Sequence, residues 1–211
     1  MQAEPTRTAK GLRELRRGQI LEVARALVAE EGLSALTFGR LEGRLAFSRG
    51  VITHHFRNKE DIVEAVLDSA LAEIDQATLT EVEAAQDHAA KLSTVVQSVV
   101  RGFLDHLEAS RILVAFWGRI PSDSRAAKLN AALYRRYRKA AAALVADGQR
   151  GGAFRTDVDP ETVATLMVGA VIGIVTQAFF EPGAIDVDAA CEEAALQTMA
   201  RLALLETPSR S

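Results

Sequence analysis

Residues 162–180, TVATLMVGAVIGIVTQAFF, run for nineteen positions without a charged side chain. Such a run is either a membrane-spanning helix of about the minimum length or a helix buried on several sides. Gly169-x-x-x-Gly173 is a helix-packing pattern found in membranes. Against a span, Thr162, Thr165, Thr176 and Gln177 dilute the apolar surface, acids flank both ends, and no basic cluster sets an orientation. The packed helix is the stronger reading, and no membrane partner is expected. Ala164, Gly169, Ala170 and Gly173 would let a second helix approach closely. The segment after it, 186–205, carries Ala190, Ala194, Leu196, Met199, Leu202 and Leu205 at mostly helical spacing. Two such helices from each of two subunits would form a four-helix dimer interface, with Ala164, Gly169, Gly173, Ala194, Met199 and Leu202 at its contacts.

The rest of the 211-residue chain is expected to be helical too. No stretch alternates apolar and polar residues long enough to suggest a sheet. Ala, Leu and Val dominate and aromatics reach only 5%, a balance that favours helices. Gly32 ends a first helix over 12–31. Pro121, Gly151-Gly152, Pro160 and Pro182-Gly183 punctuate helices expected near 88–109, 111–119, 123–150, 160–181 and 186–205. The expected fold class is all-α. Cys191 is the one cysteine, which excludes an internal disulfide and fits a reducing cytosol. The polar, basic start MQAEPTRTAKGLRELRRGQ has no apolar core, so no signal peptide is expected.

Charge is unevenly placed. Residues 1–60 hold eleven Lys/Arg against seven acids, and the remainder fourteen against twenty-one. A basic head on an acidic body points the head at a polyanion, though a merely solvated basic face fits the charge equally well. The local pattern discriminates. Thr37 is an N-cap for a short helix with Leu41 and Leu45 on one face. Ser48 is the next N-cap, followed by Val51, Ile52, His55 and Phe56. Asn58 caps a long helix whose first turn holds Glu60 and Asp61. Two short helices across a three- or four-residue turn form the helix-turn-helix unit. Its second helix would turn Ser48, Arg49, Gly50 and Val51 toward base edges in the major groove, with Gly50 allowing close approach.

LTFGRLEGRLAFSRGVITHHFRNKEDIVEAVL resembles the DNA-binding domain of the TetR family of bacterial repressors. That pattern runs Thr, a short helix, a small-residue turn, Ser-Lys-Gly-Thr-Leu-Tyr-Tyr-His-Phe, then a Lys-Glu-Glu-Leu helix start. Ser48, Arg49, Gly50, Ile52, His55, Phe56, Asn58, Lys59, Glu60 and Ile62 match it in type. The resemblance implies that Thr37 is a phosphate-binding N-cap and that Arg49 meets a base or a phosphate. Thr53 and His54 stand where two aromatics pack on the DNA backbone, and Lys59 clamps a phosphate beside helix-start amides. Three positions depart from the pattern. Thr53 replaces Tyr, Glu42 replaces a small residue and Ala46 replaces Gly. Ala46 would ask for a different turn or a strained positive φ. Glu42 would lean out or pair with Arg49 or another arginine. The implied organisation is an N-terminal three-helix DNA-binding domain over 1–58, arm included, and an effector-binding and dimerisation domain over 59–211. The partners implied are a double-stranded, palindromic DNA operator and a second copy of the chain.

LVAFWGRIPSDSRAAKLNAALYRRYRKAAAALVADGQRGGAFRTDVDPETVA resembles the effector domain of the BetI-like branch of that family. It implies a small-molecule effector, with Phe103, His106, Phe116, Trp117, Tyr134, Tyr137 and Gln177 as candidate contacts. Aromatics at helical spacing are more often plain core. Other chemistries find little support. His54 and His55 project about 100° apart on a helix and do not chelate together. Cys191 and the other histidines lack ligand spacing, so neither metal nor cofactor is expected. There is no Gly-rich phosphate loop, nucleophile elbow or paired carboxylates, so catalysis is not expected. The leading expectation is a ligand-responsive repressor in the bacterial cytosol. A ligand-independent DNA-binding protein and a small-molecule-binding helical protein with a vestigial head are the alternatives.

Overall fold

The computed structural model describes residues 5–119 and 124–203, with backbone alone at 5–10, 77 and 124. Among the described residues there is no strand. The helices are α1 (Pro5–Glu31), α2 (Phe38–Arg44), α3 (Arg49–His55), α4 (Lys59–Ala84), α5 (His88–Asp105), α6 (Leu107–Trp117), α7 (Ser124–Arg150), α8 (Pro160–Phe180) and α9 (Val187–Leu202). A 3-10 turn, Leu33–Ala35, follows α1. The all-α expectation holds. Leu205, expected in the last helix, lies outside the described residues.

The helix starts follow the polar caps. Thr37 accepts from the Arg40 amide, Asn58 from Asp61, Asp87 from Ala90, Asp159 from Thr162 and Asp186 from Ala189, satisfying amides that have no partner inside the helix. One break differs from expectation. The helix expected over 88–109 ends at Asp105, where His106 turns the chain out of helical geometry (ψ 67°) and α6 begins at once.

The chain divides into two compact units. The first holds the residues up to Glu73 and the segment from Leu107, so it contains α1–α3, the start of α4, and α6. The second holds Ile74–His106 and the chain from 124 on. Residue 58, the sequence-expected boundary, falls just before α4, and that helix contributes to both units.

In the first unit, Ile20, Ala24 and Leu27 of α1, Leu36, Leu41 of α2, Ile52 of α3 and Val66 of α4 are fully enclosed. An ionic hub joins its longer helices: Arg25 donates to Ser69 and Glu73 on α4 and to Glu108 on α6, all within 2.7 Å. In the second unit α7 packs along α8 through the small side chains Ala141, Ala142 and Ala164. Gly148 near the end of α7 is required, because a Cβ there would sit 2.2 Å from the Phe154 ring. Gln149 fastens the loop to α8 by donating to the carbonyls of Arg155 and Val158.

Candidate functional site

The four residues 45–48 separate α2 from α3, the geometry of a helix-turn-helix. Leu41 and Ile52 lock the pair from inside, and Phe56 closes the end of α3. The turn accepts Ala46 without strain: among the described residues only glycines have positive φ. The left-handed backbone considered for Ala46 is therefore not used. α2 is tied to α1 by Arg40, bidentate to Glu31 at 2.5 and 2.6 Å, and by Arg44, which reaches Glu30 and Glu31.

Ser48, Arg49, Gly50, Thr53 and His54 are exposed and Val51 is half-buried. Ser48 caps α3 through its backbone carbonyl alone, which leaves its hydroxyl exposed. A Cβ on Gly50 would meet nothing nearer than the Ser48 hydroxyl at 3.9 Å, so no packing among the described residues calls for glycine there. The Arg49 guanidinium stacks over Phe38, 5.2 Å from the ring centroid. It does not pair with Glu42, which has no ion pair among the described residues. Thr53 donates its hydroxyl to the carbonyls of Arg49 and Gly50. In that rotamer it offers a phosphate only lone pairs, so the exchange of Tyr for Thr removes a donor as well as surface. His54 is exposed and His55 half-buried, their rings edge-on at 5.3 Å. Thr37 is exposed at the start of α2. Lys59 begins α4, where burial and then the nearby Arg119 lower its pKa, with Glu60 opposing. An anion placed there would relieve both effects.

The candidate effector residues are distributed over both units. Phe116 is buried and Trp117 half-buried on α6 in the first. In the second, Phe103 is buried edge-on to Phe179, and half-buried His106 forms the C-cap of α5. Gln177 is exposed and donates to the Gly173 carbonyl of its own helix. Tyr134 and Tyr137 share one face of α7 with Asn130, whose side-chain oxygen is buried without a hydrogen-bond partner among the described residues. Tyr137 donates to Asp75 at 3.0 Å, and Arg136 holds the other carboxylate oxygen at 2.6 Å. Burial raises the Asp75 pKa, opposed first by Arg136 and then by the tyrosine bond. Sequence reasoning missed Asp75 and Asn130. Their signal is a polar side chain on an apolar stripe: Asp75 falls at helical spacing among Leu71, Thr78 and Val82. A separate cleft of about 330 Å³ between α5 and α9 is lined by Gln97, Arg101, Asp188, Cys191 and Met199, among others.

Three comparisons with known proteins bear on this arrangement. Residues 20–66 match the model of bacterial regulatory proteins of the tetR family. Residues 88–203 match the C-terminal domain of BetI-type transcriptional repressors, more than half of the chain. The chain belongs to the TetR family. Among curated relatives, the HTH-type transcriptional regulator BetI of Serratia proteamaculans is 27% identical over 111 residues, 51% of this chain. The chain spans about half the length of the curated relatives it matches, 55% for that one. A TetR transcription regulator from Haloarcula marismortui superposes with a TM-score of 0.77 at 21% identity, over 90% of this chain and 99% of its own. A transcriptional regulator from Saccharomonospora viridis, solved in complex with choline, does so at 0.70 and 22%, over 87% and 95%. These structures share the fold. The resemblances read from the motif at 36–67 and from the stretch at 113–164 are thus ones of family.

Proposed function

We propose that this TetR-family chain is a ligand-responsive transcriptional repressor of the bacterial cytosol. It binds a palindromic DNA operator as a homodimer and leaves it when a small molecule occupies the second unit. The observation that carries the reading is the exposed start of α3, where Ser48, Arg49 and Gly50 face outward, Gly50 with no packing that calls for glycine among the described residues and Arg49 stacked on Phe38, next to the α4 start bearing Lys59. Thr37, Ser48 and Lys59 hold phosphates, Arg49 and Val51 meet base edges, and Thr53 and His54 lie against the backbone.

The effector contacts in this reading are Tyr134, Tyr137 and the two groups beside them on α7 and α4. Asn130 offers an unused acceptor to a ligand N–H or O–H, and Asp75 offers a carboxylate whose cation Arg136 is more than half exposed. An effector acts by binding one arrangement of the dimer better than the other.

The test is DNA selection from a random pool, followed by titration of the recovered duplex. Arg49→Ala is expected to cost about 1–3 kcal/mol and change the base preference. Lys59→Ala is expected to weaken all sequences alike and flatten the salt dependence. Wild-type behaviour from both variants would sink the contact assignment.

A further inference from the structure

The positive charge of the head does not reside in the helix-turn-helix. Residues 18–62 hold six Lys/Arg and six acids. Four of those six bases, Arg25, Arg40, Arg44 and Arg57, are in ion pairs. The first half of α1, residues 5–17, holds Arg7, Lys10, Arg13, Arg16 and Arg17 against Glu14 alone. Among the described residues neither Arg13 nor Arg16 has an ion-pair partner.

Their placement on the helix is specific. The enclosed stripe of α1 is Ile20, Ala24 and Leu27. Run backward at the same spacing, that stripe reaches Arg17 and Arg13, with Arg16 beside them. The face that packs on the head therefore changes from aliphatic to arginine one turn before Ile20, and residues 11–19 are all exposed. It overlooks the end of α3. The Arg17 guanidinium lies 5.0 Å from the centroid of the Phe56 ring. Burial, then His54, Arg13, Arg16 and Arg17, hold the His55 pKa down, so all three arginines are within electrostatic reach of the recognition helix. Like charges gathered beside α3 repel one another in the free chain, and a polyanion lying along α3 removes that repulsion.

We propose that the first half of α1 is a second DNA contact, in which Arg13, Arg16 and Arg17 grip backbone phosphates flanking the segment read by α3 and supply most of the salt-dependent affinity. This rests on the DNA-binding reading above and deepens it. The division of labour is physical: α3 selects sequence, while α1 supplies affinity that ignores sequence.

The experiment measures binding of the full chain to the duplex recovered by selection and to a random duplex of equal length, across a salt series. Each lost phosphate contact lowers the slope of log affinity against log salt by about 0.9. The variant Arg13→Ala/Arg16→Ala/Arg17→Ala is expected to lower it by about 2–3 per head on both duplexes, with base preference unchanged. The matching three-lysine variant is expected to restore it. Arg13→Ala/Arg16→Ala, which keeps Arg17 over Phe56, is expected to show an intermediate loss with an unaltered melting temperature. An unchanged slope in the alanine variants, with Lys59→Ala lowering it, overturns the α1 contact and spares the DNA reading. A wild-type chain that ignores duplex DNA, or prefers vesicles of anionic phospholipid to it, overturns both.

Discussion

Arg155 and Asp157 show how one side-chain pair reports on the acid limit of the fold. The half-buried Arg155 grips the Asp157 carboxylate with two bonds at 2.6 and 2.5 Å. That hydrogen bond chiefly, with Coulomb attraction behind it, lowers the Asp157 pKa from 3.8 to about 2. A carboxylate depressed in the folded state contributes stability that is present above its unfolded pKa and lost as the pH falls through the folded one. The contribution is therefore complete above about pH 4 and disappears toward pH 2. Urea melts at stepped pH check this. Asp157→Asn is expected to be less stable than wild type at neutral pH, and the two curves are expected to converge near pH 2. A constant offset across that range would mean that the pair contributes nothing through ionisation. Thr53 makes a different point at the same scale. Its exposure was legible in the sequence pattern, but the donation of its hydroxyl to its own helix was not. Rotamers are settled by the carbonyls within reach, which a one-dimensional pattern does not record.

At the level of elements, α2 has only seven residues, too few to be stable alone in water. Its start depends on Thr37, whose side chain accepts from the Arg40 amide at 3.3 Å. Thr37→Ala is expected to cost about 1 kcal/mol of stability by chemical denaturation, and Thr37→Ser to recover most of it. Equal stability of the two variants would show that the Arg40 and Arg44 pairs to α1 hold the helix without the cap. Such caps were what the sequence showed best: Thr37 and Asn58 mark helix starts that the structure keeps, and Ser48 starts α3 without a side-chain cap bond. The α5–α6 break was not legible, because His106 is neither glycine nor proline and no cap signal precedes Leu107. The start of α1 was read at residue 12 and lies at Pro5. Apolar periodicity marks only the part of a helix that packs on a core, and this face of α1 is arginine where it passes beyond it.

At the scale of the whole molecule, the question is what covers α8. It is long and apolar enough to cross a membrane, with only 28% of its most apolar 18-residue stretch buried inside the chain. Leu166 and Phe180 are 68% and 67% exposed, and Leu196 of α9 is 56% exposed. Gly169 is exposed and Gly173 half-buried on the same face as Leu166 and Phe180. Of the other residues expected at a dimer contact, Ala194 and Met199 are half-buried. Ala164 and Leu202 are instead fully enclosed in this chain's own packing, Ala164 against α7. The glycines carry the argument further. A Cβ on either meets nothing within 4 Å, so nothing among the described residues requires them to be small. Alanine exceeds glycine in helix propensity by about 1 kcal/mol per site. Gly169→Ala/Gly173→Ala is therefore expected to stabilise the isolated chain, read as a higher melting temperature at the lowest workable concentration. If the α8 helices of two copies cross at these glycines, the same change separates their backbones and weakens association. Sedimentation equilibrium is then expected to show a dissociation constant raised about tenfold or more, and Leu166→Glu is expected to raise it further. An unchanged constant in both variants would place the partner on another face, and would leave the exposed leucine and phenylalanine of α8 without a reason. A raised constant in the glycine variant together with a raised melting temperature cannot be produced by damage to the fold, which would move both measurements toward instability.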